Sequence, residues 1–132
     1  MPILQVRDVN HSVAFYCDKL GFFSHGTWGD GPDFAIVQNG DVTIALDRAQ
    51  ADGPVPANHY WAAYIYVADA DALCARYRSN GVEIVREPED AFYGLRDFDV
   101  RDPDGHILAF GHDLDVGNPR PGLINLDNDS AG

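Results

Sequence analysis

An internal repeat constrains this chain more than any other feature. Val6-Arg7-Asp8 stands before a helical stretch that stops at Gly21, and Val67-Ala68-Asp69 stands before a second that stops at Gly81. A period of roughly 60 residues leaves space for two similar modules and little else. Modules that short bury too little surface alone, so the two are expected to share one core.

Each module reads as strand, helix, then three strands. Leu4 and Val6 alternate with Gln5 and Arg7, the period of a half-buried strand. Asp8-Val9-Asn10 offers an N-cap, and Val13, Phe15, Tyr16 and Leu20 follow at helical spacing. Strands are expected at about 22–28, 34–39 and 42–47, parted by Gly29-Asp30-Gly31-Pro32 and by the tight turn Asn39-Gly40. A loop or linker follows from about Arg48 to Asn58. His59 to Val67, rich in Tyr, Trp, Ile and Val, reopens the pattern as a strand. Asp69 caps a helix carrying Leu73, Cys74 and Tyr77, closed by Asn80-Gly81. Val82–Val85 reads as a strand and Arg86-Glu87-Pro88-Glu89-Asp90 as a polar, acidic loop. Leu95–Arg101 and His106–His112 read as strands joined by the turn Asp102-Pro103-Asp104-Gly105. The expectation is one α+β domain over residues 1–112, with modules at about 1–48 and 59–112 and a polar tail over 113–132.

Composition narrows the partners. Twenty-one acidic residues against nine basic give a formal charge of −12. Such a surface repels nucleic acid and anionic membranes and attracts small cations, although solubility alone also accounts for it. No apolar run approaches the roughly 20 residues of a bilayer span. The start of the chain lacks a basic stretch followed by an apolar one, which predicts a cytoplasmic protein without a secretory leader. Cys17 and Cys74 lack C-x-x-C spacing and read as reduced thiols. No G-x-S-x-G elbow, phosphate-binding loop or G-x-G-x-x-G is present. Asp97 and Asp99 are the one carboxylate pair suited to metal-independent acid–base chemistry, as in an isomerase or lyase.

The opening Pro2 to Asp8, followed by Ser12-Val13-Ala14-Phe15-Tyr16 and Leu20-Gly21-Phe22, resembles the vicinal oxygen chelate superfamily of glyoxalases, extradiol dioxygenases and bleomycin-binding proteins. So do Val67 to Gly81, Tyr93-Gly94, Arg96-Asp97-Phe98 and Arg101 to His106. The resemblance covers about residues 2–112 and implies paired βαβββ modules whose sheets curve into a cup with helices outside. In the family's enzymes His, Glu or Gln holds a divalent metal inside the cup, at positions that fall here on Met1, Ala45 or Asp47, Ala62 and Ala109. Alanine has no lone pair, and a hard or borderline metal needs several O or N ligands. His59, His106 and His112 lie at odd offsets from Ala62 or Ala109, which turns them to the opposite strand face unless a β-bulge intervenes. No metal and no cofactor are therefore expected.

If Ala62 faces the cup, so do Tyr60, Tyr64 and Tyr66, while Trp61, Ile65 and Val67 face the helices. Three tyrosines on one face suit stacking on planar rings, or serve as packing partners of a closed cup. Phe98 and Val100 read as core, which puts Asp97, Asp99 and Arg101 on the cup side, with Asp47 oriented alike in the first module. Carboxylates among aromatic faces suit a planar cation. The alternative is a solvated edge with Asp97 or Asp99 paired to Arg96 or Arg101.

Bleomycin-binding proteins are similar in further particulars. Asp33-Phe34-Ala35 matches a segment whose phenylalanine lines the drug groove, and Tyr93-Gly94 falls at a tryptophan–glycine pair that contacts ligand. Tyr64 and Tyr66 fall where such proteins carry tryptophans, and Pro2 where a proline lets the first strand cross to a partner subunit. The resemblance thus implies a strand-swapped homodimer that sequesters a cationic, ring-containing antibiotic and makes or breaks no bond. Phe34, Asp47, Tyr60, Tyr64, Tyr66, Tyr93, Asp97 and Asp99 are the expected ligand-binding residues. Two other readings stand beside it: a metal-dependent glyoxalase or dioxygenase relative, and a binder of an unrelated metabolite.

Overall fold

A computed structural model describes residues 1–49, 55 and 60–114. Most of the expected linker and tail, and His59 with them, lie outside the described residues. The elements are β1 (Ile3–Val6), α1 (Val9–Ala14), β2 (Phe23–Trp28), β3 (Phe34–Asn39) and β4 (Val42–Arg48), then β5 (Trp61–Tyr66), α2 (Ala70–Ser79), β6 (Glu83–Asp90), β7 (Leu95–Arg101) and β8 (Ile107–Asp113). The first helix continues past Ala14 as a π-helical turn over Phe15–Lys19.

The repeat is legible in the topology. One four-stranded sheet runs β1-β4-β3-β2 and the other β5-β8-β7-β6, the same order in both modules. The first strand of each lies parallel to the last, and the remaining pairings are antiparallel. Both helices begin as the sequence predicts. The Asp8 carboxylate accepts from the His11 N–H at 3.1 Å, and Asp69 from the Ala72 N–H at 3.1 Å, so one orphan amide of each first turn is satisfied. Gly21 (φ 83°) and Gly81 (φ 82°) end them in the left-handed region that glycine enters without steric cost.

Period-2 alternation sends one face of each sheet inward. From β1 and β4 come Leu4, Val6, Ile44 and Leu46; from β7 and β8 come Phe98, Val100, Leu108 and Phe110. Phe98 and Phe110 are cross-strand partners whose rings stack 5.5 Å apart, with Tyr77 edge-on to both. Each such aromatic contributes about 1.5–3 kcal/mol by burial. Tyr16 and Tyr77, at equivalent places in the two repeats, are wholly buried and join the modules through their hydroxyls. Tyr16 donates to the Asp102 carboxylate and Tyr77 to the Leu20 carbonyl, each at 2.8 Å.

The Asp102–Gly105 turn also docks on the first module. Asp104 accepts from the Arg7 N–H at 3.0 Å and the Ser12 hydroxyl at 3.3 Å, and the His106 Nε2 meets the Gln5 carbonyl at 2.7 Å. His106 is therefore a buried joint between modules. His112 accepts the Ala70 N–H on Nδ1 at 2.8 Å and caps α2. Among the described residues no helix is long and apolar enough to cross a membrane.

Two expectations need correction. Residues 86–90 are not a loop but the second half of β6, at the edge of its sheet. Pro88 is compatible there because an edge strand leaves one side unpaired. Register shifts flank Arg86, between Ile84 and Arg86 and again between Arg86 and Glu89. The second concerns β5. Its pairing with β8 shifts between Trp61 and Ala63, and that extra residue reverses the strand's parity at its start. Ala62 and Ala63 pack against the core, while Trp61 joins Tyr64 on the open face.

Candidate functional site

The open face of the second sheet is built by the alternation that buries Phe98 and Phe110. Asp97, opposite Gly111, and Asp99, opposite Ala109, project from β7, and Tyr64 projects beside Ala109. Five rings make a continuous edge-to-face or tilted band across it. The centroid separations are 5.1 Å for Phe92–Tyr93, 6.4 Å for Tyr93–Trp61, 5.0 Å for Trp61–Tyr64 and 5.4 Å for Tyr64–Tyr66. Phe92 is fully exposed and Trp61 and Tyr93 are each 41% exposed, so the band is open to solvent.

Beneath the rings lies a charged cluster. Asp97 is completely buried, accepting the Tyr64 hydroxyl on Oδ2 at 2.8 Å, the Tyr93 hydroxyl on the same atom, and Arg86 on Oδ1. Asp99 accepts the Trp61 indole N–H at 3.0 Å and Arg86 from both Nε and Nη2 at 3.1 Å. Arg86 also donates from Nη1 to Glu89 at 2.9 Å and to the Asp97 carbonyl at 3.4 Å. Burial opposes ionisation of Asp97, but donation by Tyr93, Arg86 and Tyr64 outweighs it and holds the carboxyl below its usual range. Burial together with the bond to Asp97 pushes the Tyr93 phenol up to about 12, and moves Tyr64 further in the same direction. Both phenols stay protonated, with their hydrogens fixed on Asp97.

Gly111 makes this arrangement possible. A Cβ there would stand 2.2 Å from the Tyr64 hydroxyl oxygen and 2.9 Å from the Asp97 Cβ. Only a residue without a side chain lets Tyr64 reach across the sheet. At one end of the band a cavity of about 420 Å³ is lined by Tyr60, Trp61, Val85, Asp99, Arg101 and Ile107.

Of the expected ligand-binding residues, Tyr64, Tyr66, Tyr93, Asp97 and Asp99 gather on this face. Tyr60 stands just outside β5, 77% exposed, and lines the cavity. Phe34 and Asp47 face each other across β3 and β4 of the other sheet, beside Trp28. The ring contacts of Trp61 and the hydroxyl bonds of Tyr64 and Tyr93 run instead to one another and to Asp97. The partner of the carboxylates is Arg86; Arg96 instead pairs with Asp71 and Asp90, and Arg101 with Glu83. Sequence reasoning missed Arg86, Trp61 and Gly111. The bulges that direct the first two leave no mark on alternation, and the third is a lone glycine in an apolar strand.

The metal implied by the family's enzymes does not fit. Ala45 and Ala109 are wholly buried methyl groups, Ala62 packs on the core, and Asp47 is the one carboxylate at those positions. Among the described residues no three His, Cys, Asp or Glu side chains converge as a metal-binding group. Burial pushes the Cys17 and Cys74 thiols up, the opposite of an activated nucleophile.

Residues 2–110 match the model of the Glyoxalase/Bleomycin resistance protein/Dioxygenase superfamily. The chain belongs to that superfamily. It is 32% identical over 126 residues to the bleomycin resistance protein of Geobacillus stearothermophilus, covering 83% of this chain and 92% of that one. It is also 30% identical over 112 residues to the glutathione transferase FosA of Serratia marcescens, covering 80% and 73%. Among solved structures it is similar to the bleomycin-binding protein of Streptomyces verticillus complexed with copper(II)-bleomycin. That match has a TM-score of 0.64 at 30% identity, covering 83% of this chain and 90% of the other. The crystal structure of TioX from Micromonospora sp. ML1 shares the fold, with a TM-score of 0.70 at 24% identity and coverage of 85% and 95%.

Proposed function

We propose that this protein sequesters a cationic, ring-containing antibiotic of the bleomycin type, holding it without a metal of its own and without chemical change. The observation that carries this reading is the open band of Trp61, Tyr64, Tyr66, Phe92 and Tyr93 laid over an acidic cluster. Planar rings stack on such a band. Asp97, Asp99 and Glu89 outnumber Arg86, so the cluster keeps a net negative charge, within a chain of formal charge −12. Both favour a cation. Protection then follows from mass action on the free compound.

Phe34 and Asp47 enter this reading through a second subunit. The first sheet leaves Ile3, Phe23 and Trp28 exposed, an apolar face suited to a partner copy. A homodimer that sets this face of one subunit against the aromatic band of the other gives each groove both sets of residues. Within one chain β1 already pairs with its own β4, so strand exchange is not required to complete the sheet.

Calorimetric titration of metal-analysed protein with copper-free and copper-loaded bleomycin tests the proposal. Micromolar or tighter binding at about one site per subunit is the expected result. Absence of heat with both forms excludes bleomycin. The similarity to FosA favours an enzymatic reading. Stoichiometric, tightly held nickel, zinc or iron would put that reading first.

A further inference from the structure

We infer that the aromatic groove is a reader of hydrogen-bond donors: at its centre the donors of Trp61, Tyr64, Tyr93 and Arg86 are turned inward, so a ligand there must supply N–H groups and an anion is rejected. The inference rests on the binding role proposed above and names what that site selects.

A bond-by-bond account of the floor carries it. A guanidinium has five N–H donors in a fixed fork. Arg86 makes five hydrogen bonds, to Asp99 twice, to the Asp97 carboxylate, to the Asp97 carbonyl and to Glu89. The indole N–H of Trp61 is committed to Asp99. The hydroxyl hydrogens of Tyr64 and Tyr93 are both committed to one oxygen of Asp97, which is completely buried beneath them. An ionised carboxylate only accepts, so a phenol that turns its hydrogen outward gives up a charge-assisted hydrogen bond to buried Asp97. What Trp61, Tyr64, Tyr93 and Arg86 leave for a ligand is their aromatic faces, the lone pairs of two phenol oxygens and the net negative charge below.

A ligand group with N–H donors completes this surface. A carboxylate or phosphate meets lone pair against lone pair, and it loses water without recovering a hydrogen bond. The cavity rim holds Arg101, whose Nε donates to Glu83 at 3.0 Å, so an anion seated at that rim must be distinguished from one on the floor. The ligand class is a planar cation or amide rich in N–H groups.

Three isosteric probes test the inference: benzamidine, benzamide and benzoate. Each is titrated into 15N-labelled wild-type protein and into Arg101→Gln, which removes the rim cation, while the Trp61 indole N–H resonance is followed. Two hydrogen bonds and the favourable charge predict benzamidine about tenfold tighter than benzamide, with benzoate leaving the resonance unmoved. Tyr93→Phe removes one acceptor oxygen from a half-exposed position and is expected to weaken benzamidine several-fold while leaving its stacking face. Asp97→Asn removes the charge that holds the phenol hydrogens and one of the two acceptor oxygens, and should admit benzoate. Tyr93→Phe is the variant to rely on if Asp97→Asn does not fold. Equal affinity for the three probes, no response to any of them, or benzoate binding that persists in Arg101→Gln overturns the inference. Bleomycin binding without this ranking refutes the donor-reading floor alone. The ranking without bleomycin binding refutes the drug and leaves the floor.

Discussion

Replacing Arg86 by alanine withdraws the cation that pairs with both Asp97 and Asp99. Asp97 is completely buried and the Asp99 side chain is 12% exposed, so two carboxylates would be left together with little water. Removing one partner of a buried ion pair costs about 3–5 kcal/mol. The Arg86 side chain is itself 27% exposed, which lets some water reach the orphaned groups, so the lower end, about 3 kcal/mol, is the expected loss. For a domain of this size each kcal/mol corresponds to about 3–5 °C, giving a fall in Tm of about 10 °C. Thermal unfolding followed by circular dichroism reads this directly. Arg48→Ala serves as the control, because that arginine pairs with Asp33 where both side chains are half exposed, and about 0.5 kcal/mol is expected there. Acidity supplies a second reading. Asp97 is held below the ordinary carboxylate range, so its contribution is complete above the unfolded-state pKa and is lost as pH falls through the folded value. In the variant the orphaned Asp97 carboxylate takes up a proton and loses its penalty over the same direction of change. The gap between wild type and Arg86→Ala should therefore be widest near neutrality and should narrow toward pH 4. A Tm change no larger than that of Arg48→Ala, or a gap independent of pH, would refute the charge-compensation account.

Gly111→Ala places a methyl group where the Tyr64 hydroxyl lies and should destabilise the fold by about 1–3 kcal/mol. Urea unfolding checks this, and Tyr64→Phe in the same background should recover part of the loss. Tyr16→Phe removes the hydroxyl that meets buried Asp102, costing about 1.5–3 kcal/mol at neutral pH. Burial already raises the Asp102 carboxyl, so its penalty is absent below the unfolded-state pKa and grows as pH rises through the folded value. Unfolding curves for Tyr16→Phe and wild type should accordingly converge in acid. Tyr93→Ala should weaken bleomycin binding about tenfold or more in calorimetry, and an unchanged affinity would place the ligand elsewhere. Raising ionic strength from about 0.05 to 0.5 M should weaken the same binding if the cluster attracts a cation.

The caps at Asp8 and Asp69, the glycine stops and the order of strands were legible in the sequence because each depends on local chemistry. Alternation likewise placed Phe98 and Val100 inside and Asp97 and Asp99 on the open face. It failed at Trp61 because that residue lies at a register shift, where one extra residue reverses which face a side chain meets, and Arg86 was read as part of a loop. An edge strand containing Pro88 and four acidic residues looks like a loop to any local rule.

By itself the sequence determined that this protein is a pair of repeated βαβββ modules with a tyrosine-rich, carboxylate-bearing face. Tertiary structure alone decided that the two carboxylates share Arg86, that Trp61 joins the tyrosines, and that Gly111 makes room for Tyr64 to reach Asp97. The division has a physical cause. Capping, turns and alternation are set by neighbours along the chain. Charge compensation and the direction of a hydroxyl hydrogen are set by groups that meet only when distant strands pair.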